Sequence, residues 1–222
     1  DLFDRLEEAG VLLRLDPNVT PQMFHGATVS RAELDALRQI KQVIRLGHVT
    51  AIERDRIVLQ QGEIPCSANT LHVDCSASAI TNLDIKTVFD GKLITPQTVR
   101  PYQPVFSAAF IAHVEAAYDD EAEKNELCSV VPLPNHDTDW IRMLAAQMMN
   151  QYRWSQDKSI GQWLLANRLD AGSKMVKAVD KSDAEKVSIL NRVRDASVPA
   201  VTNLMKLIES IDAAEQQNSA TA

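Results

Sequence analysis

The sequence predicts an α/β first half followed by a mostly α-helical C-terminal region. Between residues 2 and 95, short stretches with helical spacing alternate with stretches rich in branched residues. Beyond Pro104, apolar residues recur almost throughout at three- and four-residue intervals. The size fits either reading of this division: 222 residues, 45% hydrophobic and 24% charged, can bury a core as one larger domain or two small ones.

Taken in order, residues 2–9 read as the end of a helix stopped at Gly10, already in register at the first residue and with no initiating Met, which suggests a start inside a larger protein. Residues 11–15 read as a short apolar strand closed by Asp16-Pro17, and residues 21–26 as a loop. Ser30 and Glu33 have capping-box spacing, and Leu34, Leu37 and Ile40 give the following helix one apolar stripe. Residues 42–63 turn to β: QVIRLGHVTAIE and RIVLQQGEI form a hairpin or meander joined at residues 53–55, with a bulge near Gly47. TLHV, residues 70–73, is the next strand, and residues 92–95 hold a later short one.

Helices are then expected over residues 106–118, 140–154, 160–169, 182–194 and 201–211. Trp140, Leu144, Met148 and Tyr152 mark one helical face. Acidic residues with Pro132, Pro134 and Asn135 mark residues 120–136 as a linker between a first region, 1–119, and a helical region, 137–214. Residues 215–222 are the expected frayed tail.

Composition excludes several functions. A net charge of −7, with no basic cluster along one face, leaves little counterion release to drive nucleic-acid binding. No apolar run is long enough to span a membrane, and the N-terminus lacks a signal peptide's basic-then-apolar pattern, so the expected compartment is the cytoplasm. Three cysteines without CxxC spacing fit a reducing environment. His72, Asp74 and Cys75, with Cys66, fall short of four well-spaced zinc ligands, and no metal is expected. A cysteine nucleophile with His113 or His136 as base lacks any local signature. Residues 135–139 directly precede a helix and read as its cap. No GxGxxG or P-loop pattern occurs.

The arrangement with the most content runs from Gly47 to Ala117, where VTAIERDRIVLQQGEIPCSANTLHVDCSAS, residues 49–78, leads on to QPVFSAAFIAHVEAA. TLHV rises apolar and breaks into Asp74, Cys75, Ser76, Ala77 and Ser78. A strand that ends on small residues lets something approach its backbone. The phrase resembles the C-terminal part of two-dinucleotide-domain flavoproteins, the FAD- and NAD(P)-dependent oxidoreductases that include flavin monooxygenase-like enzymes and an uncharacterised bacterial NAD(P)-binding branch. In that group an acidic turn, an apolar strand, a glycine and a second apolar strand ending Ala-Thr-Gly return the chain to the flavin domain. Here Asn69 stands where an acidic residue is usual, and Ser78 replaces the glycine.

The resemblance covers about the first half of the chain. It implies an incomplete Rossmann-like FAD/NAD(P)-binding portion whose glycine-rich FAD loop lies upstream, with hydride transfer from nicotinamide to FAD. It implies that Cys75, Ser76, Ala77 and Ser78 let a dinucleotide cross the carboxyl edge of the sheet. It further implies that the helix beginning near Gln103 points its N-terminus at the flavin, with Ser107 adding a hydroxyl. The resemblance names no catalytic residue and no substrate. A scaffold role stays open beside the site role: Asp74 pairing with a basic neighbour, Ser76 capping a turn. The rival expectation is a non-catalytic α/β module with a helical protein-interaction extension, its surface at Trp140, Leu144, Met148, Tyr152 and Trp163 incompletely buried.

Overall fold

The computed structural model describes residues 2–26, 29–76 and 84–220, with side chains described to residue 217. The chain divides into two compact units, Asp1–Thr20 with Thr28–Leu83, and Pro21–Ala27 with Asp84–Ala222.

In the first unit, helix α1 (Leu2–Glu8) ends at Gly10, whose φ of +75° supplies the left-handed residue that follows a helix. Helix α2 (Arg31–Leu37) starts on the predicted capping box: the Glu33 N–H donates to Ser30 Oγ at 3.3 Å, and the Ser30 N–H donates back to the Glu33 carboxylate at 2.8 Å. The predicted meander is present as β1 (Val49–Ile52), β2 (Arg56–Leu59) and β3 (Gly62–Pro65), antiparallel in that order. The β1–β2 register slips between Val49 and Ala51, close to Gly47 with its φ of +81°.

Two expected strands did not form. Residues 11–15 and residues 70–73 have no sheet partner among the described residues. Residues 11–15 instead stay irregular, held from outside: Arg38 donates to the carbonyls of Arg14 and Leu15. Residues 70–73 carry no regular secondary structure, and Leu71 is 85% and Val73 73% exposed. Among the described residues of this unit, the only buried apolar side chains are Leu34 and Leu59. Many apolar side chains of this unit are thus exposed: Val11, Ile40, Val43, Ile44, Val49 and Ile52 are each at least 49% exposed.

The second unit is helical apart from a two-stranded antiparallel ribbon, β4 (Phe89–Asp90) with β5 (Leu93–Ile94). Helices α3 (Pro104–Ala117), α4 (Glu121–Leu127), α5 (Asp137–Gln156), α6 (Lys158–Ala166), α7 (Ala171–Lys177) and α8 (Ala184–Ala220) follow. The core joins Val88, Phe89 and Val99 to Phe106, Phe110, Ile111 and Val114 of α3, and to Trp154, Ile160 and Leu164. Phe110 lies 4.5 Å from Trp154 between ring centroids, and the Trp154 indole N–H donates to the Leu127 carbonyl at 2.9 Å. A second cluster packs Trp140, Ile141, Leu144, Ala145 and Met148 of α5 against Leu204, Ile208 and Ile211 of α8. Arg142 closes it on Asp212 at 2.6 Å and Glu215 at 3.0 Å.

Three expectations are corrected here. The stretch 120–136 contains α4, capped by Asp120, and contributes Leu127, Cys128 and Val131 to buried positions, so it is packed structure rather than a bare linker. The helices expected at 182–194 and 201–211 are one, α8, running through Pro199. Residues 215–220 continue that helix instead of fraying. Both sheets are antiparallel, and the described residues contain no parallel strand pair of the kind a Rossmann-like unit uses.

Candidate functional site

The residues singled out by sequence fall in both units. Cys75 and Ser76 belong to the first, Gln103 and Ser107 to the second, and Ala77 and Ser78 lie outside the described residues. In the first unit, Asp74 makes an Asx turn: its Oδ1 accepts the Ser76 N–H at 2.8 Å and the Ser76 hydroxyl at 2.6 Å. Those two hydrogen bonds, the hydroxyl's first, hold the Asp74 carboxyl below the ordinary carboxylate range. Cys75 is exposed beside the turn with a free thiol. The Asp74–Ser76 bonds are the turn-capping geometry that a scaffold role requires, and they fix the shape of the turn.

In the second unit, the residues read from sequence stand at the start of α3. Tyr102, Gln103, Pro104 and Val105 are exposed, whereas Phe106 and Ser107 are buried. Gln103 is the N-cap residue but makes no side-chain cap, and Pro104 brings no N–H. The first turn of a helix leaves its N–H groups without intrahelical partners, so Val105 and Phe106 present theirs at the positive end of a 14-residue helix.

Ser107 sits differently from its expected role. It is 2% exposed, its hydroxyl donates to the Gln103 carbonyl at 3.0 Å, and its oxygen accepts the Val99 N–H at 3.2 Å. With its proton committed inward, this hydroxyl positions the turn leading into α3 and does not face outward.

Sequence reasoning missed the residues that brace this turn. Asn150, 1% exposed, donates from Nδ2 to the Val99 carbonyl at 3.0 Å and to the Ser129 carbonyl at 2.7 Å. Arg100 stacks its guanidinium 3.6 Å from the Phe106 ring centroid and reaches Asp170 at 3.3 Å, the two side chains being 12% and 6% exposed. Desolvation lowers the Arg100 pKa against the opposing pull of Asp170. Asp170 also accepts the Gly172 N–H and the Ser173 hydroxyl at the start of α7. The available signal was an Asn and an Asp within otherwise apolar or capping patterns, which sequence alone reads as surface.

Other chemistry can be placed quickly. Asp139 accepts the N–H groups of Asn135 and His136, the capping expected for residues 135–139. Cys128 is buried, and desolvation pushes its thiol up to about 12, which unfits it as a nucleophile. His113 stacks on Trp163 at 4.9 Å, and burial lowers its pKa while Asp157 pulls the other way. No group of three or more His, Cys, Asp or Glu side chains among the described residues could hold a metal ion, and no described helix is long and apolar enough to cross a membrane. None of the five residues on which the rival expectation rests is fully buried: Trp140, Leu144 and Met148 are partly buried in the cluster shared with α8, Trp163 is partly buried against the core, and Tyr152 is exposed.

No family model matches the chain, and no solved structure matches it. An uncharacterized protein of Mycobacterium bovis is 42% identical over 217 residues, 98% of this chain and 40% of that protein. Two uncharacterized proteins of Mycobacterium tuberculosis match with the same identity and coverage. The chain thus spans about two fifths of the length of the curated relatives it matches.

Proposed function

We propose that this chain is the C-terminal part of a cytoplasmic flavin- and NAD(P)-dependent oxidoreductase in which a nicotinamide delivers hydride to FAD. The observation that carries the reading is the order of the first unit: an antiparallel meander over residues 49–65, then the strand-like sequence of residues 70–73, which has no sheet partner among the described residues and leaves Leu71 and Val73 exposed. Apolar β sequence left in water is unfavourable at roughly 25 cal/mol per Å² of exposed apolar surface. It is the form expected of a strand whose neighbours belong to an incomplete Rossmann-like portion completed by the rest of a longer protein. The much greater length of the mycobacterial relatives supports the same reading.

The start of α3 fits the acceptor-rich edge of a flavin. It is exposed, it lacks a side-chain cap, and the N–H groups of Val105 and Phe106 and the Gln103 amide are its donors. FAD, when bound, supplies the electron acceptor for the hydride. This chain's own contribution is orientation and electrostatics. The positive end of α3 favours negative charge on the flavin ring, and Ser107 and Asn150 hold the preceding turn rigid; in the other unit, the Asp74–Ser76 turn shapes the stretch at Cys75 and Ser76 to which the resemblance assigns dinucleotide contact. Ser107 is a positioning residue in this scheme. The three free cysteines suit a reducing compartment.

The test is anaerobic addition of NADH or NADPH to the full-length protein. Loss of flavin absorbance on adding one of them is the expected outcome. A protein that takes up no FAD and oxidises no nicotinamide overturns the reading.

A further inference from the structure

Residues 21–26 lie far from α3 in sequence but belong to the helical unit, although the chain enters this segment from the other unit and returns to it afterwards. The segment is stitched to the start of α5 at three points. The Phe24 N–H donates to the Asn135 carbonyl at 2.9 Å, His25 Nε2 meets Asn135 Oδ1 at 3.0 Å, and His136 Nδ1 donates to the Gln22 carbonyl at 3.4 Å. At its end, Gly26 has a φ of +78° and lies flat against the Tyr102 ring, so closely that a Cβ there would fall within the ring. Tyr102 itself has a φ of 56°, the only non-glycine residue in the left-handed region among the described residues. A bulky side chain adopts that region only when its surroundings hold it there. Tyr102 immediately precedes the N-cap of α3.

We infer that residues 21–26 form a strap that latches Tyr102 in its left-handed conformation and so organises the entrance to α3, making that entrance conditional on the seating of a segment threaded from the other unit. Pro101 and Tyr102 are the central residues of a turn closed by the Gln103 N–H on the Arg100 carbonyl at 3.3 Å; its second position calls for a positive φ that glycine takes freely and tyrosine does not, and here the Tyr102 ring meets the Gly26 backbone. Gly26 permits the contact because it has no side chain, and Tyr102 is held because the strap is anchored at the other end by Asn135 and His136. The Val99–Ser107 and Val99–Asn150 bonds fix the front of the turn, leaving Tyr102 as its adjustable end. The inference is independent of which ligand α3 faces.

Amide hydrogen exchange on the full chain tests it, read at Phe24 for the strap and at residues 99–107 for the entrance. Gly26→Ala should unseat the strap, speeding exchange about tenfold or more at Phe24 and in the 99–107 turn together. Tyr102→Gly, which keeps the left-handed preference and removes the ring, should speed exchange at Phe24 and leave the 99–107 turn protected. Loosening confined to Phe24 in the Gly26→Ala protein shows that the strap does not govern the turn and overturns the inference. So does loss of protection at residues 99–107 in the Tyr102→Gly protein, since the turn would then depend on the ring itself. If Gly26→Ala does not fold, Asn135→Gly, which removes the His25 bond and leaves the glycine intact, is read at the same amides with the same expectation of joint loosening, and unchanged exchange in the turn counts against the latch.

Discussion

Replacing Asn150 by leucine removes the one side chain that joins the α3 entrance to the loop after α4. Leucine has the same branched shape and is somewhat larger, so no cavity opens; the loss is of hydrogen bonds, with a small overpacking cost added. Asn150 Nδ2 serves two carbonyls, Val99 O and Ser129 O, in a site only 1% exposed. An unsatisfied buried polar group costs about 1–3 kcal/mol. Two such groups, offset in part by the apolar gain of leucine, give a net loss of roughly 2–4 kcal/mol. All three tryptophans, Trp140, Trp154 and Trp163, lie in the helical unit, so tryptophan fluorescence during urea unfolding reports that unit alone. With a slope of about 1–3 kcal/mol per molar urea, the midpoint should fall by about 1–2 M. A midpoint shift worth less than about 0.5 kcal/mol would refute the claim that this residue satisfies two buried carbonyls.

Other consequences follow from the same contacts. Asp170→Ala leaves the Arg100 guanidinium buried beside Phe106 without its counter-charge and uncaps α7; the helical unit should lose about 3–5 kcal/mol in the same urea assay. Ser107→Ala removes an acceptor for the Val99 N–H and a donor to the Gln103 carbonyl; a loss of about 1–2 kcal/mol is expected, with faster amide exchange at Val99. Burial lowers the His113 pKa below 6.5, so the folded state takes up its proton later than the unfolded chain does. Stability that is intact above the unfolded value of 6.5 should therefore fall as pH drops toward the folded value, and His113→Gln should flatten that part of the stability–pH curve. At lower pH, Asp157 acts in the same direction: desolvation would raise its pKa, but hydrogen bonds from Tyr118 and the Ile160 and Ser159 N–H groups win and lower it, so its contribution is lost below about 3.8 and Asp157→Asn should remove that fall.

Local signals were legible where the physics is local. The Ser30–Glu33 box and the Asp139 cap depend on neighbours a few residues away and formed as read, and the β region over residues 49–65 formed too, except that RIVLQQGEI, read as one strand, turns at residues 60–61 into β2 and β3. Strands 11–15 and 70–73 did not form, because a strand exists only with a partner and periodicity cannot show whether the partner is present. Residues 120–136 were misjudged because charged and proline residues mark surface equally well on a short capped helix and on a linker. Helices read at 182–194 and 201–211 left a gap between them, yet the turns flanking Pro199 are tied back by Ser197 to Val193 O and Thr202 to Val198 O, and one helix runs through. Asn150, Arg100 and Asp170 were invisible because their importance lies in partners 51, 21 and 70 residues distant. For Ser107, sequence placed the residue in the first turn of α3 but could not tell that its hydroxyl points inward.

The measurement closest to the central proposal is a titration of FAD into the purified full-length protein, followed by the visible flavin spectrum and by quenching of flavin fluorescence. Saturable, stoichiometric uptake, weakened by Gln103→Ala, which removes the side-chain amide at the start of α3 while the fold survives by tryptophan fluorescence, is the predicted result. A folded protein that leaves the flavin spectrum and fluorescence unchanged at every concentration contradicts it.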